Sequence, residues 1–189
     1  MLQQELNNYT NEQLSRFTHR QLEILSFLTY IYDRTAQDVE RWRKLRDKGW
    51  DVMTDIERSE WLGEIMPMPA ASKGMYTHND MNRVESTVEN IAFWFRDIGY
   101  PVPELSIKTD WSYTDEVTKE DMDRYFGNIE ILRNIIGVFK YTPKTPSTRV
   151  AFDYTVANDV EKILSDVFEI SNNINDAWRY AGEILSGEV

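Results

Sequence analysis

Apolar residues recur at steps of three and four along much of the chain. From Asp80 they run Met81, Val84, Val88, Ile91, Phe95 and Ile98. From Asp121 they run Met122, Tyr125, Ile129, Leu132 and Ile136, and from Asp159 they run Val160, Ile163, Val167, Ile170, Ile174 and Ala177. Each set marks one face of an α-helix. Extended to the whole chain, the pattern predicts helices near 10–32, 35–48, 54–65, 77–98, 118–136 and 156–186. Gly49, Gly99, Gly137 and Gly187 stand where helices would stop. Pro67, Pro69 and Gly74 break the chain after the third helix, and Pro101 and Pro103 open an extended stretch, ELSIKTDWSY. That stretch either forms a short strand or lies across the helices. No set of alternating strands is visible, so the expected fold is all-α, a bundle of roughly six helices.

The helix starts share a phrase, Thr-x-x-Asp-apolar-x-basic-apolar. It reads TAQDVERW from Thr35, THNDMNRV from Thr77 and TKEDMDRY from Thr118. TNEQLSRF from Thr10 and VANDVEKI from Val156 are looser copies, the latter aligned with Asp159 in the Asp place and Lys162 in the basic place. The spacing of about 40 residues is that of a repeated helix-plus-connector unit. Physically the phrase is a helix start: the Thr hydroxyl accepts from a first-turn N–H, and the acid three places on reaches back to the cap and meets the positive end of the helix dipole. Thr35 with Asp38, Thr77 with Asp80, and Thr118 with Asp121 are therefore predicted caps. Asp80 with Arg83, and the matching pairs Asp38–Arg41, Asp121–Arg124 and Asp159–Lys162, are spaced for i,i+3 ion pairs.

Some apolar residues fall off these stripes. Phe93 projects opposite the face centred on Val84 and Val88, with Trp94 at its flank, and Ile131 and Ile135 lie off the stripe of Met122, Tyr125 and Ile129. Helices apolar on a second side are either sandwiched inside a bundle or covered by another subunit. Phe93, Trp94, Ile131 and Ile135 are accordingly the candidate interface of a homo-oligomer. Residues 1–33 stand apart from the repeats as an N-terminal helix with a dense apolar cluster, either buried on the repeat-built domain 34–189 or docking a partner.

Charge narrows the function. The net charge is −11 with no basic block, so nucleic acid and anionic membrane surfaces are unsuitable partners. No run of 18 apolar residues suggests a membrane span, and the start lacks the features of a secretory signal. With no cysteine, disulfides and thiol catalysis are excluded. His19 and His78 are the only histidines, and neither is spaced for zinc. The acidic stretch from Asp110 lacks the Gly and Glu of a calcium loop. No catalytic motif, metal site or cofactor signature is present, and no enzyme is expected. Among the tryptophans, Trp42 and Trp178 lie on apolar stripes, and Trp50 and Trp61 are placed to pack together. Trp111, with Tyr113, either pins the extended connector to the helices or contacts a sugar or partner.

From Arg34 to Val189 the chain resembles proteins from the tail and structural-gene regions of Firmicutes phages and prophages. The residues that carry the resemblance are Tyr76, Asp80, Met81, Asn82, Arg83, Val84 and Glu85, in the pattern Y-x-x-x-D-h-N-R-V-E, and the later K-T-D-W of Lys108 to Trp111. The resemblance implies a virion component of tail, baseplate or fibre, made in the host bacterial cytoplasm and assembling with other virion proteins. It supplies no catalytic residues. The alternative it leaves is a carbohydrate-binding module of a tail tip that reads a host surface glycan.

Overall fold

Three long amphipathic stripes require a common centre, and in the computed structural model they share one. The structure describes residues 22, 28, 30–62 and 73–186, with side chains as far as Ala181. Among these the elements are α1 (Ala36–Lys48), a 3-10 turn (Trp50–Val52), α2 (Asp55–Leu62), α3 (His78–Asp97), α4 (Lys119–Ile135) and α5 (Tyr154–Ser186). The protein is an all-α bundle, with no strand among the described residues. The stretch after Pro101 lies across the helices without pairing. The two glycines with positive φ, Gly49 (81°) and Gly99 (91°), stand just past the ends of α1 and α3, where an L side chain would be strained.

Helices α3, α4 and α5 pack on one another. Their stripes meet in a core that includes Val88, Ile91 and Phe95 of α3, Tyr125, Ile129 and Leu132 of α4, and Val160, Leu164 and Val167 of α5. Each such side chain contributes about 1.5–3 kcal/mol on burial. Trp94, expected in a subunit interface, is fully buried in this core, edge-on to Phe168 of α5 at 5.3 Å. Because α3 is covered by two helices, its apolar arc is wider than a one-sided helix needs, and Trp94 lies within the second contact. Ile135 packs against the same core and Ile131 is half-buried, while Phe93 stays exposed beneath the Arg96 guanidinium.

The N-terminal region contributes Leu28, buried in the main core, with Leu22 and Tyr30 packed against it. Most of the predicted helix 10–32, including Thr10 and His19, lies outside the described residues. Residues 30–35 are not helical, because their backbone is engaged by side chains of α5, as described below.

A second, smaller cluster joins α1 to α2 through Leu45 and Met53, with Trp61 against them. Trp61 stacks on Trp42 (6.4 Å between centroids) rather than on Trp50, whose ring instead lies exposed near Arg58. Gly74 sits against the backbone of α1: a Cβ there would lie 2.2 Å from the Asp38 carbonyl oxygen. Backbone atoms cannot give way as a flexible side chain does. Gly74→Ala should therefore cost about 1–3 kcal/mol, measurable by urea unfolding, whereas Gly127→Ala, with open space at its Cβ position, should not destabilise.

Candidate functional site

All three predicted caps sit at helix starts. Thr35, Thr77 and Thr118 are the N-caps of α1, α3 and α4, each in a capping box with Asp38, Asp80 and Asp121. At Thr118 the Asp121 carboxylate accepts from the Thr118 N–H at 3.0 Å, and the Thr118 hydroxyl accepts from the Asp121 N–H at 3.2 Å. Thr118→Ala should lower stability by about 1 kcal/mol, read as a shift in the urea midpoint. Thr54 and Glu57 form the same box ahead of α2.

The copy of the phrase at Val156 is out of register. Helix α5 begins at Tyr154, and Asp153 caps it, accepting from the N–H groups of Thr155 (2.8 Å) and Val156 (3.1 Å). Asp159 therefore lies in the second turn, and Lys162 pairs with Asp166 instead. Counted from the caps Thr77 and Asp153, α3 and α5 align with Asn82 on Asn158 and Glu85 on Glu161. That alignment exposes a repeat of different content, Asn-x-x-Glu.

In α3, Asn82 pinches the backbone of one connector residue. Its Oδ1 accepts from the Trp111 N–H (2.7 Å) and its Nδ2 donates to the Trp111 carbonyl (2.9 Å). One turn on, the buried Glu85 carboxylate accepts from the Lys108 N–H (2.8 Å) and the Trp111 indole Nε1 (2.9 Å), and Arg124 of α4 donates to both its oxygens (2.5 and 2.7 Å). In α5, Asn158 pinches Arg34 in the same way, accepting from its N–H (3.1 Å) and donating to its carbonyl (2.8 Å). Glu161 then accepts from the Ile31 N–H (2.5 Å), from the Arg34 side chain (2.8 Å), and from both Nη atoms of Arg83 of α3 (2.5 and 2.9 Å). Each clamp thus holds an extended four-residue segment, Lys108–Trp111 or Ile31–Arg34, and adds one arginine from a neighbouring helix.

The arginines of the phrase turn outward from their own helices to do this. Arg83 keeps its i,i+3 partner Asp80 (3.0 Å), which it shares with Arg34 (3.2 Å). Arg124 pairs with Glu85 rather than Asp121, and Arg41 pairs with Glu60 of α2 rather than Asp38. An arginine on the second turn is long enough to reach a carboxylate on the next element, and a buried carboxylate gains more from it than an exposed capping Asp does. The cluster of Arg34, Arg83, Asp80 and Glu161 is neutral as a set, which is the condition for burying charges together. Tyr76 and Tyr125 meet beside it with hydroxyl oxygens 2.5 Å apart.

Trp111 is thus an anchor. It is buried, with the Lys108 ammonium 3.9 Å from its ring centroid, and offers no face to a glycan, while Tyr113 two residues on is exposed. Among the described residues no group of His, Cys, Asp or Glu is placed to hold a metal ion, and no helix is long and apolar enough to cross a membrane.

The site has a defined pH signature. The Thr118 hydroxyl lowers the pKa of Asp121, and the Thr155 hydroxyl lowers that of Asp153. Hydrogen bonds from Lys48 and Thr54 lower Glu57 to about 2. In the unfolded chain these groups protonate near about 4, so their stabilisation is complete above that pH and is lost as pH falls through the folded values. Burial raises Tyr76 and Tyr125, with Glu161 adding to Tyr76, and the Tyr76 hydroxyl adding to Tyr125. Their contribution is complete below about 10, the unfolded value, and is lost as pH rises beyond it. Thermal melts should show a plateau between about pH 5 and about pH 9 that falls at both ends, and Tyr125→Phe should soften the alkaline limb alone.

Comparison with family models, with curated proteins and with solved structures finds no significant match.

Proposed function

We propose that this chain is a structural component of a phage virion, acting by protein–protein assembly in a tail, baseplate or fibre. The observation that carries the reading is where the motif residues go. Asp80, Asn82, Arg83, Glu85 and Trp111, with Tyr76 beside them, are all engaged inside the protein. The residues through which the chain resembles phage structural proteins therefore hold an architecture together, and they present no arrangement for turnover of a substrate. What is left on the outside suits contact: Phe93 on α3, Tyr113 on the connector, and Trp178 and Tyr180 on α5. A glycan-reading role in a tail tip would rest on Tyr113 without Trp111. Mass spectrometry of purified particles tests the reading. The chain is expected among the particle proteins in stoichiometric amount, and its absence from intact particles would overturn the proposal.

A further inference from the structure

We propose that the cleft between the starts of α1 and α5 is a binding site for a small monocarboxylic acid with an apolar body. The cleft holds about 470 Å³, within the range of small-molecule sites. Val39, Met75 and Phe152 give it an apolar wall, and Arg34, Arg43 and Asp153 give it charge. The Thr35–Asp38 box, the close approach of Gly74 to the α1 backbone and the Asp153 cap set its frame, so it is preformed.

The two arginines point to an anion for different reasons. The Arg34 side chain is 2% exposed, and its Nη atoms donate to Glu161 and Asp80. Its Nε–H is buried in the protein with no acceptor, although buried donors are nearly always paired. The cleft wall therefore contains a donor in need of an acceptor. Arg43 is exposed and makes no ion pair among the described residues, so its planar fork is free to take a carboxylate. Two helices also begin here, α1 at Ala36 and α5 at Tyr154, and both residues line the cleft. The capping side chains accept from Asp38 in α1 and from Thr155 and Val156 in α5, leaving the first amides, those of Ala36 and Tyr154, outside the caps. Helix starts favour negative charge. Asp153 limits how much. Its carboxylate stands in the same wall and repels a second negative charge, so a monoanion fits where a phosphate dianion does not. The rest of the ligand is set by the apolar wall. Phe152 is 36% exposed, and its ring meets those of Tyr76 and Phe126. A hydrocarbon body laid against it removes that surface from water.

Isothermal titration calorimetry of the whole chain with phenylacetate tests the site, with phenylacetamide and inorganic phosphate as comparison ligands. Phenylacetate should bind one molecule per chain, at least about tenfold more tightly than either comparison ligand. Arg43→Gln should weaken phenylacetate binding about tenfold. Lys44→Gln, at the next position and exposed in its pair with Glu40, should leave it unchanged, which separates a guanidinium fork from a general loss of positive charge. In ¹H–¹⁵N spectra the Ala36 and Tyr154 amides should shift as wild type is titrated. Far-UV circular dichroism checks that both variants are folded. No saturable binding of phenylacetate at millimolar concentration would overturn the proposal. So would equal affinity for phenylacetate and phenylacetamide, or an Arg43→Gln variant that binds as wild type does.

Discussion

Glu85→Ala should destabilise the protein by about 3–5 kcal/mol, the loss expected when one partner of a buried ion pair is removed. The substitution does more than delete a charge. It strands the Lys108 N–H and the Trp111 indole N–H, and it leaves Arg124 without its bidentate acceptor. The connector would then be held by Asn82 at Trp111 and by the bonds that Arg124 and Asn128 donate to the Ser106 carbonyl. Whole-domain stabilities are about 5–15 kcal/mol, so the loss should move the urea midpoint far down and shift Trp111 emission to the red under native conditions. Lys119→Ala, at an exposed i,i+4 pair with Asp123, should cost no more than about 1 kcal/mol.

The second large effect belongs to the other clamp. Glu161→Ala leaves the side chain of Arg34, 2% exposed, and that of Arg83 facing each other with Asp80 as their remaining acid. A loss of about 3–5 kcal/mol is again expected. Here the local consequence differs, since the Ile31 N–H is released and residues 30–35 are left bonded to α5 through Asn158 at Arg34. Exchanging both arginines and Glu161 for apolar residues of similar volume, with Asp80 kept as the capping acid that accepts from the Thr77 N–H, would be milder than breaking the set. A triple variant, Arg34→Met with Arg83→Met and Glu161→Leu, should therefore recover much of the stability that Glu161→Ala loses, as read by urea unfolding.

The contrast between local and distant interactions explains how much of this was legible beforehand. The capping boxes at Thr35, Thr77 and Thr118 need only four consecutive residues, and the sequence contains all of them. The stripes of α3, α4 and α5 are likewise local, so the all-α bundle follows from them. The clamps are not local: Arg83 meets Glu161 across 78 positions and Arg124 meets Glu85 across 39. A helical spacing rule offered nearer partners, Asp80 and Asp121, and only Asp80 accepts. Trp94 was misplaced because a helical wheel assumes one buried face, and α3 has two neighbours. The start of α5 lies two residues ahead of the expected one because Thr155, four residues before Asp159, imitates a cap, while Asp153 performs the capping. The signal that was present and unread is the pair of Asn-x-x-Glu sequences, Asn82 to Glu85 and Asn158 to Glu161, each on a helix at the same distance from its cap.

That pair is the core of the account: two equivalent clamps convert irregular chain into fixed architecture. Native-state hydrogen exchange at single residues tests this most directly. The amides of Lys108 and Trp111, although outside any helix, should exchange as slowly as those in the middle of α3, with opening free energies near that of global unfolding, while Asp110 between them exchanges fast. Exchange of Lys108 and Trp111 at the rate of Asp110 would contradict it.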